Sequence, residues 1–154
     1  MTNKLFLLLL LGLIACQTAD EKVVGIGEGI RHDDFVYSVR RVNVTDGGSR
    51  LNRTNPDNRL WLVVFQVANQ AEQAGYIWSD STAFVSDSAG NRYEALSRMP
   101  TGPKTTPAGQ TDSTTLLFSL PQTLKQPYLL VRGETRPGDL LDGRHVGKTK
   151  IRLF

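Results

Sequence analysis

Beyond residue 22, the apolar side chains of this chain recur in short runs with a period of two and almost never at helical spacing. Clusters of Gly, Pro, Asn and Asp separate these runs. Because successive side chains of a strand point to opposite faces, the pattern predicts half-buried strands joined by turns. The chain is therefore expected to adopt an all-β fold.

Short apolar runs bounded by turn residues define the predicted strands. They cover residues 23–30, 35–44, 60–68, 83–86, 92–96, 111–120, 128–132 and 150–154. Strands of this length with regular turns predict an Ig-like antiparallel β-sandwich of about seven or eight strands. In the first of them, Val24, Ile26 and Ile30 are predicted to share one face, and the polar segments 45–59, 99–110 and 133–147 are predicted to be loops.

In two of the predicted strands, the apolar pattern also predicts the strand's local geometry or its place in the sheet. In the run 35–44, the apolar side chains change phase between Val39 and Val42. Because pleat parity fixes the face of each side chain, the change predicts a β-bulge or a bend. The run 60–68 is apolar at both parities at its start, which predicts a central strand covered on both faces.

A hairpin is predicted over residues 83–96. Two short runs flank the segment Asp87-Ser88-Ala89-Gly90-Asn91, which consists of turn-forming residues. Gly90 can adopt positive φ at the turn without steric cost.

The N-terminus has the composition of a secretory signal. Lys4 precedes an unbroken apolar run at residues 5–15. Eleven residues form a helix of about 16 Å, half of the ~30 Å hydrocarbon core, so the run is too short to span a membrane but fits a signal peptide. The run ends in Leu13-Ile14-Ala15-Cys16, which resembles the lipobox of bacterial lipoproteins.

This resemblance implies cleavage between Ala15 and Cys16 and thioether lipidation of the cysteine. The chain then divides into a signal peptide at 1–15, a lipidated flexible spacer at 16–22 and one β-sandwich domain at 23–154. In lipoproteins of this type the new amino terminus is usually acylated as well, and two or more acyl chains give stable anchoring. The alternative is an ordinary secretory signal with a coincidental cysteine.

Cys16 is the only cysteine, so no intramolecular disulfide can form. A lone exported thiol would be exposed to oxidation unless it is used, and lipidation uses it. Gln17 follows, where an Asp would suggest retention in the inner membrane of many Gram-negative species. The sequence therefore predicts a lipid-anchored protein of the cell envelope. If the cell is Gram-negative, the predicted location is the outer membrane, facing the periplasm or the surface.

The charge distribution argues against nucleic acid as a partner. The net charge is +3 and falls to +2 when Lys4 is removed with the signal peptide. Basic residues are scattered along the chain, and no dense basic block with interleaved aromatic residues occurs.

The order of strands and turns resembles the DUF4352 domains of bacterial secreted and lipid-anchored proteins. Its most specific parts are the Asp-x-x-Gly-Asn-x-Tyr hairpin at 87–93, the Pro-x-Gly turn at 107–109 and the Phe-x-Leu-Pro strand end at 118–121. The resemblance covers about residues 25–154 and includes the similar immunoprotective extracellular antigen fold of mycobacteria. It implies an Ig-like sandwich that acts as an extracytoplasmic interaction module, with no established catalytic residues.

No catalytic constellation is recognised in the sequence, and we predict neither enzymatic activity nor a cofactor. Three polar groups invite a metal site: His32-Asp33-Asp34, the segment 87–91, and Asp139 with Asp142 and His145. Turns and solvated loops explain each of them equally well, because Asp bonds to its own backbone at turns. We therefore predict no metal site.

Tyr76 and Trp78 follow a polar turn and are the candidate binding residues. They could form an exposed aromatic patch for a protein or a glycan, or they could pack at an edge of the sandwich. The first functional hypothesis is a non-enzymatic envelope lipoprotein that binds a protein partner by a loop or a sheet edge. The alternative is a lipoprotein that binds a small ligand or a glycan near Tyr76 and Trp78.

Overall fold

The computed structural model describes residues 22–32, 34–45, 57–79, 81–132 and 146–154 of the 154-residue chain. The predicted signal peptide and most of the predicted spacer lie outside these residues. The described chain is built from strands, with these bounds: β1 (Lys22–Val24), β2 (Gly29–His32), β3 (Phe35–Thr45), β4 (Asn58–Asn69), β5 (Tyr76–Ile77), β6 (Ala83–Ser86), β7 (Arg92–Glu94), β8 (Ser97–Met99), β9 (Thr105–Thr106), β10 (Thr111–Pro121), β11 (Tyr128–Arg132) and β12 (Val146–Arg152).

The strands form a β-sandwich of two five-stranded sheets, which confirms the predicted fold class. The first sheet has the order β1-β12-β11-β6-β7, and the second has the order β2-β3-β4-β10-β8. Within both sheets the pairs are antiparallel, except that β1 pairs with β12 in parallel. Strands β5 and β9 form a separate two-stranded ribbon.

Alternating residues of both sheets meet in one hydrophobic core. The first sheet contributes Val24, Ala83, Val85, Leu129, Val131 and Ile151, and the second contributes Ile30, Phe35, Tyr37, Val39, Val63, Phe65, Val67, Leu116, Phe118 and Leu120. Each large apolar side chain buried in this way stabilises the fold by about 1.5–3 kcal/mol. Packing between the layers therefore replaces the intersheet disulfide that many Ig domains contain.

The long strands β3, β4 and β10 form the centre of the second sheet. Their register places Val39 opposite Phe65 and Leu116 opposite Val63, all of them inward-facing and fully buried. The predicted central strand is confirmed as β4. Its outward face is half-buried along most of its length, so this face is less covered than the sequence predicts.

The predicted phase change in β3 is a β-bulge. The register shifts between Val39 and Arg41, so Arg40 is the extra residue of the strand. The bulge keeps Val42 on the inner side, where it packs against the core. The apolar residues before and after the bulge occupy alternating positions of opposite phase in the sequence. The bulge lets both sets face the same hydrophobic core.

The first predicted strand is wrong as a single element. Residues 23–30 divide into β1 of the first sheet and β2 of the second, joined by a turn in which Gly27 has φ of 89°. Val24 and Ile30 are buried as predicted, but Ile26 is 42% exposed because it lies in this turn. Two glycines in three residues, Gly25 and Gly27, are the signal for the break.

The predicted hairpin is confirmed, with β6 paired to β7 in the register Val85 opposite Tyr93. Gly90 has φ of 84°, as the turn requires. The side chain of Asp87 organises the turn, since Oδ1 accepts hydrogen bonds from the amides of Ala89 and Asn91 at 2.9 and 2.8 Å.

Candidate partner-binding edge

In the part of the chain that the structure describes, the second half of β3 forms an open sheet edge. β2 pairs only with Phe35–Ser38, whereas β4 pairs along the whole strand as far as Thr45. Within the described ranges, no strand lies against the other side of residues 40–45. We call these six residues the β3 edge.

An unpaired strand edge offers backbone N–H and C=O groups to an incoming strand. The bulge at Arg40 and the exposed side chains of Arg40 and Arg41 are features that commonly protect such edges from indiscriminate pairing. The β3 edge therefore has backbone groups that can pair with an added strand, together with features that limit which strands can pair.

The side chains of the β3 edge present two different faces. Val42 and Val44 share the inner parity, and Val44 is 45% exposed where it lies opposite Trp61 of β4. Arg41 and Asn43 share the outer parity and are exposed beside the half-buried Leu62 and Val64. A strand added here would meet an apolar side and a polar, basic side.

The electrostatic character of this edge is positive. Arg40 and Arg41 lie on it, and neither β3 nor β4 contains an acidic residue. An acidic or mixed-sequence segment would complement the edge, whereas a basic segment would be repelled.

Of the two possibilities for Tyr76 and Trp78, the exposed aromatic patch is wrong. Tyr76 and Trp78 are only 2% and 4% exposed, because alternate residues of the ribbon turn inward and leave Ile77 outside. Their rings make edge-to-face contacts at a centroid distance of 5.3 Å, and Trp78 also packs on Phe65 at 6.1 Å. The alternative reading, edge packing of the sandwich, describes both residues.

A buried polar network explains why Trp78 is held inside. Its indole Nε1 donates a hydrogen bond of 2.7 Å to Oγ1 of Thr106, which is fully buried. The side-chain amide Nδ2 of Asn69 donates hydrogen bonds to the carbonyl oxygens of Ala74 at 2.7 Å and Thr106 at 3.0 Å. These bonds attach the ribbon β5–β9 to the end of β4.

Of the candidate metal residues, the structure describes His32, Asp34 and the segment 87–91. Among residues that the structure describes, no group of three or more His, Cys, Asp or Glu could hold a metal ion. His32 is the last residue of β2. The backbone carbonyl oxygen of Asp34 accepts a hydrogen bond of 2.7 Å from the backbone amide of Gln70. Asp33, Asp139, Asp142 and His145 lie outside the described residues, as do Ala15 and Cys16.

Hydrogen bonds and partial burial shift the pKa values of Asp87, Tyr93 and Asp112. The side-chain amide of Asn91, together with the backbone amides of Asn91 and Ala89 and the hydroxyl of Tyr93, lowers the pKa of Asp87. Partial burial, followed by the charge of Asp87, raises the pKa of Tyr93. The hydrogen bond from Lys104, 2.8 Å long, lowers the pKa of Asp112. These shifts follow from hydrogen bonds and packing within the turn and the strands.

The β3 edge was not singled out as a site by sequence analysis, although its signal is present. The phase change and the Arg40-Arg41 pair within an otherwise apolar strand mark a bulged, charged edge. What the sequence could not show is that β2 is too short to cover it.

Comparison with known proteins supports the fold. The yjhA protein from Bacillus subtilis has a TM-score of 0.59 at 14% identity over 85% of this chain and 99% of its own. MPT63, a secreted protein from Mycobacterium tuberculosis, has a TM-score of 0.55 at 11% identity over 77% of this chain and 95% of its own. The ycdA protein of B. subtilis, a proposed lipoprotein, has a TM-score of 0.56 at 14% identity over 70% of this chain and 34% of its own.

At these identities the likeness shows the fold alone. The similarity to a secreted mycobacterial protein agrees with the fold that the sequence resemblance implied. No family model and no curated protein matches the chain, so the assignment to DUF4352 domains stays a prediction.

Proposed function

We propose that this chain is a non-enzymatic, lipid-anchored envelope protein whose β-sandwich binds a protein partner by strand addition at the β3 edge. The observation that carries the proposal is the backbone of residues 40–45, which among the described residues has a strand on only one side, that of β4. Strand addition supplies affinity through backbone hydrogen bonds and specificity through alternate side chains. In this proposal the sandwich is of the DUF4352 type.

The anchoring part rests on Leu13-Ile14-Ala15-Cys16. It is supported by the fold that the chain shares with a secreted protein and a proposed lipoprotein. None of the residues that the structure describes forms a helix that could span a bilayer. A lipidated cysteine would supply the attachment, to the outer membrane in a Gram-negative cell.

The chemistry of the edge defines the partner. We expect an extended segment with small apolar residues on the side of Val42 and Val44 and acidic residues on the side of Arg41. Like charges placed opposite each other across strands are destabilising, so basic segments are discriminated against.

The anchor is tested by metabolic labelling with a radioactive fatty acid. The wild-type chain should incorporate label, and Cys16→Ala should incorporate none. Equal labelling of the two proteins would contradict lipidation and leave the β3 edge to be judged separately.

The edge is tested by photocrosslinking in intact cells with the full chain. A photoreactive residue replaces Asn43 on the β3 edge, or Ser113, which is exposed on β10 of the same sheet, as the matched control. We expect a crosslink at position 43 only, mapping to an extended acidic segment of one protein.

Charge reversal then tests specificity. Arg40→Glu combined with Arg41→Glu should abolish the crosslink from position 43 while the protein remains folded, because both side chains are exposed. A crosslink that is equally strong at position 113, or that is unaffected by charge reversal, would exclude the edge as the binding site.

A further inference from the structure

The outward face of β1, β12 and β11 is basic and aromatic. These three strands contain no acidic residue, and β12 carries Lys150 and Arg152. Lys150 and Arg152 alternate with the buried Ile151 and therefore point away from the core.

Aromatic rings lie beside these cations. The ring of Tyr128, opposite Arg152 in the register, packs edge-to-face on Phe154 at a centroid distance of 6.2 Å. Nζ of Lys150 lies 5.9 Å from the ring of Tyr128, and Cζ of Arg152 lies 5.8 Å from the ring of Phe154.

Large apolar groups on this face are exposed. Phe154 is 58% exposed, and Val23, which pairs with Lys150, is 40% exposed. Aromatic rings and long basic side chains together are the groups that occupy the polar boundary of a bilayer. We call Val23, Tyr128, Lys150, Arg152 and Phe154 the β12 face.

The β12 face lies next to the point at which the chain, coming from the proposed lipid anchor, joins the sandwich. β1 begins at Lys22, six residues after Cys16, and runs parallel to β12 at the edge of the sheet. Six extended residues reach at most about 20 Å, so a lipidated Cys16 would hold this edge close to the headgroups.

We propose that the β12 face lies against an anionic phospholipid surface and orients the anchored sandwich. This inference rests on the proposed lipid anchor and is independent of the β3 edge. The anionic surface attracts Lys150 and Arg152, while Phe154 and Val23 enter the headgroup layer. The β3 edge belongs to the other sheet, so it stays available to a partner.

The strength of the effect follows from the two cations. Each Lys or Arg near an anionic membrane contributes about a fivefold increase in the docked fraction relative to the undocked fraction. Lys150→Gln with Arg152→Gln should therefore lower this ratio about 25-fold. Salt should act in the same direction, since charges are screened over about 8 Å at physiological ionic strength.

The experiment uses the full lipidated protein in vesicles. Because Cys16 is the only cysteine, an introduced thiol can be labelled selectively with a fluorophore. Ser86→Cys places the label beside Tyr128 on the β12 side, and Ser113→Cys places it on the opposite sheet as the control. Quenching by spin-labelled headgroups is compared between phosphatidylcholine vesicles with and without phosphatidylglycerol.

We expect strong quenching at position 86 only in vesicles that contain phosphatidylglycerol, and its loss in Lys150→Gln/Arg152→Gln. Equal quenching at positions 86 and 113, or no dependence on phosphatidylglycerol, would overturn the proposal. Retention of the protein on the vesicles after a high-salt wash reports the lipid anchor separately. A protein whose anchor fails is lost from the vesicles in the wash, whereas an anchored protein whose β12 face does not dock is retained without quenching at position 86. If the anchor fails, quenching at position 86 is measured at a higher lipid concentration.

Discussion

At the residue scale, the hydrogen bond between Trp78 and Thr106 decides whether the indole stays inside. Thr106→Val keeps the shape of the side chain but leaves the buried Nε1 without its 2.7 Å acceptor. An unsatisfied buried donor costs about 1–3 kcal/mol, so we expect the free energy of unfolding to fall by that amount. Urea denaturation of the purified protein measures it.

Thr105→Val is the matched control for this prediction, because Thr105 is the exposed neighbour of Thr106 on the same strand. We expect it to change the free energy of unfolding by less than about 0.5 kcal/mol. If the two variants were equally stable, Trp78 would not depend on this bond.

Asp87 should make the hairpin pH-dependent. Its pKa is lowered in the folded state, chiefly by the hydrogen bond from Asn91, so the carboxylate stabilises the fold above its ordinary pKa. This stabilisation is lost as the pH falls through the lowered pKa. We therefore expect Asp87→Asn to reduce the loss of stability between about pH 5 and about pH 2.

Ser88→Ala is the control for Asp87→Asn, because it changes an exposed, non-titrating side chain in the same turn. Unfolding of both variants and the wild type should be followed at several pH values. An identical pH dependence in wild type and Asp87→Asn would show that the turn does not couple to protonation.

Single residues also show the limits of sequence reasoning. Arg98 is 4% exposed and donates hydrogen bonds to the carbonyl oxygens of Pro100 and Gly102. Nothing in the local pattern distinguishes it from the exposed arginines, because its burial depends on how the following loop folds back. The inward turn of Tyr76 and Trp78 likewise depends on pairing between β5 and β9, whose paired residues are 28 and 30 positions apart in the sequence.

At the scale of elements, the bulge in β3 predicts opposite results for two deletions. Removing Arg40 leaves Val39, Arg41 and Val42 in regular alternation, so the inner face is preserved. Removing Val42 brings Arg41 or Asn43 to the inner face in its place. We expect the first deletion to change the free energy of unfolding by less than about 1 kcal/mol and the second to cost about 1.5–3 kcal/mol or more.

Chemical denaturation and sedimentation of both deletion variants test this prediction. Without Arg40 the edge becomes regular, and we expect more self-association, since bulges protect edges from pairing. Comparable destabilisation by the two deletions would mean that Arg40 is not the extra residue.

The elements differ in how well local sequence defines them. β4, β10, β11 and the β6–β7 hairpin are predicted because alternation and turn residues agree over several positions. The two-residue strands β5 and β9 are missed, since so short a ladder leaves no period to read. The division of residues 23–30 between two sheets is missed because sheet membership is a tertiary property.

At the scale of the whole molecule, the two sheets have different outward faces. The first presents the cations and rings of the β12 face, and the second presents the half-apolar face and the open β3 edge. A lipid surface on one side and a protein on the other would give the sandwich a fixed orientation in the envelope. The sequence predicts an anchored module, but the separation of these surfaces follows only from the strand order.

The central claim, that the β3 edge is open, is tested most directly by amide hydrogen exchange in the isolated protein. In an antiparallel strand, alternate amides point toward each neighbour, so about half of the amides of residues 40–45 point away from β4. We predict that these amides exchange rapidly, whereas the amides of residues 61–67 in β4 are protected at consecutive positions. Uniform protection of residues 40–45 would show that the edge is already covered and would contradict partner binding by strand addition.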